Sequence, residues 1–267
     1  MELPNDYPDV YVPCDAVLSI CDRAHAAWLW SRRRAVITGR AAAALHGAKW
    51  IDDAAPVEIV WANNHTPASV ITRRERIDAD EMCKFPDGGL VASPARTALD
   101  IGRYLQFDEA VAHLNALARA TGVSSDEVLA LSYRYAGARG VRCCRTAVNM
   151  MDGGAQSPRE TWLRLLLIGA GFPRPQTQIP LYEYGHPVAH LDMGWAAIRV
   201  AVEYDGDQHR TDRATYLKDL RRAEIVDRLG WLNVRVVKED REIDVIARVA
   251  TPGPVDEREG MVVQSST

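Results

Sequence analysis

The apolar segment Ile198–Val202 near the C-terminus is bordered by acidic residues, and this pattern constrains the fold more than any other feature. The segment reads as a strand whose side chains are largely buried. His190 and Asp192 precede the segment, and Glu203 and Asp205 follow it. Removing a charge from water is costly unless the charge is paired or bound to a metal. The fold must therefore supply these acids with partners or with a cation.

Alternation of side chains along a strand groups these residues in pairs. His190 and Asp192 share one face of their strand. Glu203 and Asp205 share one face of the next strand. Two carboxylates that bind one ion must lie close together, so the hairpin has to bring Asp192 near Glu203.

This requirement fixes the expected strand register. A two-residue turn at Ala196-Ala197 pairs Asp192 with Ala201, which leaves Glu203 as the diagonal neighbour, about 7–8 Å away. Turn chemistry alone favours Gly194-Trp195, because glycine permits positive φ. We predict the turn at Ala196-Ala197, or a slightly wider one in the same place.

The composition indicates an ordinary globular protein of one large or two modest domains. The chain has 267 residues and a net charge of −4, so no global polybasic signal for nucleic acid is present. Five cysteines with a vicinal pair, Cys143-Cys144, argue against a secreted disulfide framework and favour a reducing cytoplasm. The sequence shows neither a signal peptide nor an apolar run of membrane-spanning length. We therefore expect a cytoplasmic protein with no membrane partner.

Residues 1–152 are predicted to form a mainly helical α+β domain. Ser93-Pro94 is a helix cap followed by proline at the first helical position. The glycine-containing segment Asp152–Gln156 is the predicted domain boundary. The predicted helices are 15–30, 40–46, 94–105, 108–120, 124–133 and 141–151, and the predicted strands are 35–38, 57–61 and 70–72.

Residues 157–250 follow a different pattern, which predicts the order helix, three strands, helix, strand. Ser157-Pro158 opens an apolar helix that ends at Gly169. Residues 251–267 read as a polar, disordered tail. The later predicted strands are 177–181, 188–193, 198–204 and 232–237, and the predicted helix between the last two is 214–229.

The segment from Ser157 to about Val249 resembles the PD-(D/E)XK nuclease superfamily, in particular its branch related to the very-short-patch repair endonuclease. The resemblance covers roughly a third of the chain. It implies a restriction-endonuclease-like fold, in which helices flank a mixed sheet, and a metal-dependent DNA endonuclease or nickase. The residues that carry it are Glu160, Asp192, Glu203-Tyr204-Asp205-Gly206, His209, Asp219, Arg222, Gly230-Trp231 and Val234-Arg235-Val236.

The resemblance also implies roles for individual residues. Asp192 and Glu203 would hold Mg²⁺ or Mn²⁺, helped by the carbonyl of Tyr204. Glu160 and Asp205 would assist. Mg²⁺ prefers oxygen ligands and keeps several waters, so one or two carboxylates plus a substrate phosphate suffice. Such an ion activates water and stabilises the charge on the leaving oxygen.

Two departures from the superfamily pattern concern this site. Leu191 stands before Asp192 in place of the usual proline. Asp205 stands where the superfamily usually has a lysine, which is thought to position the attacking water. The branch that this chain resembles also lacks that lysine and uses a histidine nearby. His209 is therefore the expected group that polarises water or protonates the leaving group.

The metal hypothesis has structural alternatives at each of these positions. Asp192 and Glu203 could instead form ion pairs with Arg199 or Arg235. A surface location would explain His209 equally well.

The remaining candidates also have structural interpretations. Ser157 and Glu160 have the spacing of a capping box, in which the glutamate bonds back to the cap. Asp205 precedes a glycine, as in many turns. Asp219 and Arg222 have the spacing of an ordinary intrahelical pair.

The N-terminal segments Thr38–Gly47 and Ser93–Asp100 resemble abortive-infection AbiEi-type antitoxin proteins. This resemblance implies a winged-helix DNA-binding segment with a scaffold region behind it. Arginines in this half could meet phosphates electrostatically, although a solvated basic face is the alternative. The candidates are Arg32, Arg33, Arg34 and Arg40, with Arg73, Arg74 and Arg76 nearby in sequence.

Two functions therefore follow from the sequence. The first is a Mg²⁺-dependent DNA endonuclease or nickase that hydrolyses phosphodiester bonds. The second is a non-catalytic DNA-binding regulator of antitoxin type on a degenerate nuclease fold, which the missing lysine at Asp205 favours.

Overall fold

The structure, a computed structural model, describes residues 7–12, 16–63, 65–85, 88–206 and 213–251, with side chains from Asp219 onward in the last range. The chain divides into two compact units, Met1–Gln156 and Ser157–Thr267. The predicted boundary segment, 152–156, ends at this division. Each unit combines a mixed sheet with flanking helices.

The N-terminal unit is built on a five-stranded sheet. Its helices are α1 (Ile20–Trp30), α2 (Gly39–Leu45), α3 (Pro94–Tyr104), α4 (Phe107–Thr121), α5 (Ser125–Arg134) and α6 (Val141–Asn149). Its strands are β1 (Val36–Thr38), β2 (Val57–Val60), β3 (Val70–Arg73), β4 (Met82–Lys84) and β5 (Leu90–Ala92). The strand order is β3-β2-β1-β5-β4, with β1–β5 and β2–β3 parallel and β1–β2 and β4–β5 antiparallel.

Local capping explains where several of these helices begin. We expected the first helix to begin at residue 15. Ser19 instead forms a capping box with Asp22, so α1 begins at Ile20. Ser93 accepts a hydrogen bond from the amide of Arg96, and Pro94 occupies the first helical position of α3, as expected. The sequence reasoning missed β4 and β5, which have three residues each and show no clear alternation, whereas the equally short β1 was predicted from its apolar residues.

The C-terminal unit contains a four-stranded sheet between helices. Its helices are α7 (Pro158–Gly169), α8 (Arg213–Arg228) and α9 (Glu242–Ala250), and its strands are β6 (Gln176–Glu183), β7 (His186–Trp195), β8 (Val200–Tyr204) and β9 (Leu232–Val236). The strand order is β6-β7-β8-β9, in which β6–β7 and β7–β8 are antiparallel and β8–β9 are parallel. The order helix, three strands, helix, strand is as expected, and α9 is an additional helix.

Two apolar clusters hold this sheet. Val202 belongs to a cluster that includes residues of α7 and α9, and Ala201 belongs to a second cluster that includes Val226 of α8. The alternation along β8 therefore sends neighbouring side chains into different clusters. The first cluster contains Leu163, Leu167, Phe172, Met193, Val202, Val234, Val236, Val245 and Val249, and the second contains Ile179, Leu181, Leu191, Ala201 and Val226.

The β7–β8 connection is the wider turn that we anticipated, and it changes the register. A 3₁₀ turn at Ala196–Ile198 and the left-handed Arg199 (φ 51°) connect the two strands. Trp195 therefore pairs with Val200, not with Ile198.

The expected pairing of Asp192 with Ala201 is consequently wrong. Ala201 pairs with Gly194, and the next pair is Met193 with Val202. This pair is the last between the two strands, and Asp192 and Glu203 are the residues just beyond it. The 3₁₀ turn causes the shift in register, because it takes two more residues than the tight turn.

Gly194 lies within β7 and not in the turn, although turn chemistry alone favoured a turn at Gly194-Trp195. A Cβ atom at this position would lie 2.2 Å from the backbone oxygen of Val200. Glycine is therefore required because β7 and β8 approach each other closely here.

Candidate functional site

Carboxylates from separate elements of the C-terminal unit gather in and beside one cleft. Glu160 lies in the first turn of α7, Asp192 lies on β7, and Glu203 lies near the end of β8. Glu160 and Glu203 are buried, with relative exposures of 9% and 6%. The sequence reasoning predicted that Asp192 and Glu203 would lie together, and both line this cleft.

The environment of Asp192 disfavours its ionised form. Burial, followed by the negative charges of Glu160 and Glu203, raises the pKa of Asp192 to about 7. Arg222 and a hydrogen bond from the backbone N–H of Tyr204 oppose this shift only in part. The carboxylate group therefore lacks sufficient positive charge around it.

Glu203, in contrast, has well-placed donors. Arg222 donates from Nη1 to Oε2 at 3.0 Å and from Nη2 to Oε1. Asn233 on β9 donates its side-chain amide to Oε2. This bidentate geometry is the strong form of a guanidinium–carboxylate pair.

Arg222 reaches this site from α8. Its Nη2 also donates to the backbone oxygen of His190, and hydrogen bonding to Glu203 raises the pKa of Arg222. The sequence analysis offered Arg199 or Arg235 as the alternative ion-pair partner of Glu203. Those partners are wrong, because Glu203 pairs with Arg222 of α8. Arg199 instead donates to the backbone oxygen of Leu229 at 3.4 Å.

The expected intrahelical pair of Asp219 with Arg222 is likewise replaced by the Arg222–Glu203 pair. The side chain of Asp219 is exposed and lines the cleft, where its charge raises the pKa of Arg222 less than Glu203 does. Arg222 pairs with Glu203 of β8 rather than with Asp219 of its own helix, because Glu203 is buried and offers both oxygens.

Glu160 serves the helix cap and faces the acid cluster. The hydroxyl of Ser157 accepts a hydrogen bond from the amide of Glu160 at 3.2 Å and donates to its Oε1 at 3.0 Å. The capping interpretation is therefore correct in part. The charge of Glu160 nevertheless acts on Asp192 and contributes to its raised pKa, so the carboxylate lies near the cleft.

The cleft has a volume of about 200 Å³ and is bordered by residues of both signs. Asp205, which follows β8, and Arg235 on β9 complete its wall. The backbone N–H of Asp205 donates to the backbone oxygen of Val236, which continues the β8–β9 ladder. The lining residues are Asp192, Glu203, Tyr204, Asp205, Asp219, Arg222 and Arg235.

Of the predicted catalytic residues, Glu160, Asp192, Glu203 and Asp205 lie in this region. Tyr204 lines the cleft, and its ring contacts Trp162 edge to face at 6.4 Å between centroids. His209 lies outside the described residues. The predicted polar tail, 252–267, also lies outside them.

The predicted DNA-contacting arginines belong to the N-terminal unit. Arg32, Arg33 and Arg34 are exposed, and Arg33 lies over the ring of Trp28 at 5.5 Å. Arg32 and Arg33 adopt positive φ values of 56° and 63°. Arg40 is different, because its side chain is 17% exposed and pairs with Glu109 at 3.2 Å.

Two partners of Glu203 were missed or misread from the sequence. Asn233 was not considered, although its amide bonds to Glu203. Its signal was a polar side chain within the apolar strand that ends at Val236. Arg222 was noted but assigned to the wrong partner, because spacing along a helix cannot reveal a contact between that helix and a strand.

A second acidic group lies in the N-terminal unit. Among the described residues, the carboxylates that come within 4.8 Å of one another in a group of three are Asp78, Asp80 and Glu81. Each of them pairs with an arginine: Arg76 with Asp78, Arg134 with Asp80 and Glu81, and Arg96 with Glu81. These pairs already balance the charge, so we interpret the group as structural.

The chemistry of the donors around Asp192 fits a divalent cation. The three carboxylates offer the hard oxygen ligands that Mg²⁺ prefers, and the raised pKa of Asp192 marks a deficit of positive charge. Their oxygens do not all lie within 4.8 Å of one another, so the three carboxylates do not by themselves form a closed ligand set.

None of the helices in the described part of the chain is both long enough and apolar enough to cross a lipid bilayer.

Among curated proteins, the chain is similar to two uncharacterized proteins of Mycobacterium tuberculosis, one from strain CDC 1551 / Oshkosh and one from strain H37Rv. Each is 31% identical over 153 residues, which are 57% of this chain and 56% of the relative. The match thus covers little more than half the length of these relatives. No family model matches the chain, and no solved structure matches it.

Proposed function

We propose that the chain is a divalent-metal-dependent DNA endonuclease or nickase that hydrolyses phosphodiester bonds. The observation that carries the proposal is that Asp192 and Glu203, from two adjacent strands, line one cleft, with the charge of Glu160 from α7 near Asp192. Asp192 lacks full compensation of its charge, and a largely buried acid in this state is expensive to maintain unless it has a function such as metal binding.

The topology of the C-terminal unit supports this proposal. The order α7-β6-β7-β8-α8-β9, with a mixed four-stranded sheet, agrees with the restriction-endonuclease-like fold that we propose for residues 157–250. The acids lie on the two central strands and on the first helix, which are the positions that the sequence resemblance assigned to them.

Asp192 and Glu203 would hold the ion, Mg²⁺ or Mn²⁺. When bound, the ion supplies a polarised water and positive charge near the phosphate. Among the described residues no ion pair reaches Asp192, so its oxygens are accessible to a cation. Glu160 and Asp205 would hold or orient water at the edge of the cleft.

The cations of the cleft would hold the substrate. Arg235 is exposed on β9 at the position paired with Glu203, and it lines the cleft. A guanidinium binds phosphate through two parallel N–H donors, so Arg235 can fix a backbone phosphate near the acids. We retain His209 as the proposed acid or base.

The N-terminal unit would add contacts to DNA phosphates. Arg32, Arg33 and Arg34 are exposed and suited to this role, whereas Arg40 already pairs with Glu109. The winged-helix segment stays a prediction. A cytoplasmic location and the absence of a membrane partner also belong to the proposal.

A second candidate function rests on a specific observation. Three N–H donors from Arg222 and Asn233 already occupy the oxygens of Glu203. A protein in which this pair never opens would bind DNA without cleaving it, as a non-catalytic regulator of antitoxin type.

A nicking assay separates the two functions. Supercoiled plasmid is incubated with the full chain and Mg²⁺ or Mn²⁺, and wild type is compared with Asp192→Asn. The control is Asp227→Asn, which removes an equal charge from an exposed position on α8. We expect metal-dependent nicking by wild type and by the control, and loss of nicking in Asp192→Asn. DNA binding without nicking by wild type in either metal would support the regulator instead.

A further inference from the structure

The pair between Arg222 and Glu203 has two hydrogen bonds, and it occupies a carboxylate that the proposed metal needs. We propose that Arg222 is an exchangeable counter-ion, which neutralises Glu203 in the free protein and transfers to a phosphate oxygen of the DNA when Glu203 binds the metal. This inference rests on the proposed function and assigns Arg222 as a substrate-positioning residue.

The acceptor capacity of Glu203 is nearly exhausted. A carboxylate offers about four lone-pair positions on its two oxygens. Arg222 uses one position on each oxygen, and Asn233 uses a second one on Oε2. A metal that binds Glu203 must therefore displace the guanidinium or use only the one remaining lone-pair position.

Charge repulsion makes simultaneous occupation unfavourable. Glu203 is 6% exposed, so charges around it are weakly screened by water. A divalent cation on Glu203 and a guanidinium on the same carboxylate would repel each other at short range. Departure of Arg222 relieves this repulsion and leaves Asn233 to orient Glu203.

Arg222 can leave Glu203 without unfolding the site. Its side chain is 32% exposed and borders the cleft, so the guanidinium can rotate toward solvent or substrate. Its Nη2 also donates to the backbone oxygen of His190, an anchor that does not depend on Glu203. A guanidinium binds phosphate in the same two-donor geometry that it uses for carboxylate.

A second arginine of α8 provides a matched control. Arg228 lies on the same helix and pairs with Glu183 at 2.9 Å. Its pair lies outside the cleft and is more exposed, with 57% of the arginine side chain accessible. Arg228→Gln therefore removes the same charge from the same helix without changing the ligands of the proposed metal.

The first arm of the test measures cation binding to the full chain without DNA. Ca²⁺ is the calorimetric probe, because it takes the same oxygen ligands as Mg²⁺ and polarises bound water less. We expect Arg222→Gln to bind Ca²⁺ about tenfold more tightly than wild type, since a charged hydrogen-bonding competitor has been removed. Arg228→Gln should bind like wild type. Weaker or unchanged binding by Arg222→Gln would mean that Arg222 only orients Glu203, and the proposal would be overturned.

The second arm adds a short duplex DNA. In wild type the DNA should tighten Ca²⁺ binding, because phosphate draws Arg222 away from Glu203, and Ca²⁺ should tighten DNA binding equally by linkage. In Arg222→Gln most of this coupling should disappear. Coupling of wild-type size in Arg222→Gln would contradict phosphate as the destination of Arg222.

Further variants keep the outcomes distinct. Arg222→Lys keeps the charge but loses the two-donor geometry, so its Ca²⁺ affinity should lie between those of wild type and Arg222→Gln. If Arg222→Gln does not fold, as judged by its melting transition, Arg222→Lys carries the test. If neither wild type nor Arg222→Gln binds Ca²⁺, the proposed function fails, whereas binding by wild type without tightening in Arg222→Gln overturns only the role of Arg222.

Discussion

At the scale of single residues, the site combines one well-paired acid with one poorly paired acid. Glu203 has three N–H donors, whereas Asp192 faces Glu160 and Glu203 with partial compensation from Arg222. This asymmetry should make the stability of the protein depend on pH, and the dependence can be measured without any substrate.

The first prediction concerns the stability of the metal-free protein. The pKa of Asp192 is raised from an ordinary value near 4 to about 7. The folded state therefore keeps a proton that the unfolded chain releases, and the free energy of unfolding should fall as pH rises from about 4 to 7. Asp192→Asn should remove this dependence and stabilise the protein at pH 8 by about 2–4 kcal/mol.

Urea unfolding followed between pH 5 and pH 8 checks this prediction. Asp227→Asn, an exposed substitution on α8, should retain the wild-type slope. A wild-type stability that is flat over this range, or no gain in Asp192→Asn at pH 8, would show that Asp192 is ionised in the free protein.

The sequence indicated the residues of the site better than it indicated their partners. Asp192 and Glu203 could be selected because acids beside an apolar strand need compensation. The partner Arg222 could not be identified, because its contact depends on how α8 crosses the sheet. Asn233 was overlooked because one amide in a strand carries no pattern of its own.

At the scale of elements, capping residues and apolar periodicity predicted most helices, while the short strands β4 and β5 were missed. Ser93-Pro94 and Ser157-Pro158 marked helix starts that the structure contains. The β7–β8 register depended on a 3₁₀ turn, Ala196–Ile198, that has no strong local signal. Two extra residues in this turn shifted the pairing, so that Ala201 lies opposite Gly194 and not opposite Asp192.

The second prediction concerns the close approach of β7 and β8. A Cβ atom at residue 194 would lie 2.2 Å from the backbone oxygen of Val200, so Gly194→Ala must push the strands apart. We expect a loss of about 1–3 kcal/mol in the free energy of unfolding, with weaker metal binding because Asp192 and Glu203 separate. Thermal unfolding and calorimetry measure the two effects.

Gly169→Ala is the matched control, since a Cβ atom there meets nothing within 4 Å. This variant should be neutral or slightly stabilising, because alanine favours the helix. Equal stability of Gly194→Ala and Gly169→Ala would contradict the close strand approach.

The third prediction concerns a buried ionic network in the N-terminal unit. Arg96 on α3 is fully buried and donates to Glu75, Glu81 and Asp100 and to the hydroxyl of Tyr135. Arg96→Met would leave buried carboxylates without their shared cation. We expect a loss of about 3–5 kcal/mol, measured by urea unfolding.

Arg76→Met tests whether burial is the cause. Arg76 is 81% exposed at its side chain and pairs with Asp78. Its replacement should change stability by less than about 1 kcal/mol, as is usual for surface pairs. Similar losses in the two variants would contradict this interpretation of the network.

At the scale of the whole molecule, two units of mixed α/β structure share one chain of net charge −4. The proposed contact with DNA would therefore depend on local basic surfaces. The turn Arg32–Arg34 is the clearest such surface in the N-terminal unit, because all three side chains are exposed.

The fourth prediction concerns the salt dependence of DNA binding. Each neutralised phosphate contributes about 0.9 to the slope of log K against log salt concentration. Replacing Arg32, Arg33 and Arg34 by glutamine should lower this slope by about 2–3 and weaken binding to all sequences equally. Fluorescence anisotropy with duplex DNA over a range of salt concentrations measures the slope.

A triple variant of Arg119, Arg139 and Arg142 is the control, because these arginines are exposed elsewhere in the same unit. Its slope should match that of wild type. If both triple variants lose the same slope, binding depends on total charge and not on the Arg32–Arg34 turn.

The most direct measurement is a calorimetric titration of the full chain with Mg²⁺ and Mn²⁺ at pH 8, for wild type, Asp192→Asn and Asp227→Asn. The account predicts saturable binding by wild type and by Asp227→Asn, and loss of that binding in Asp192→Asn, which should still fold. Equal affinity of wild type and Asp192→Asn for the metal would contradict a metal site at Asp192 and Glu203, and the acids would then be structural.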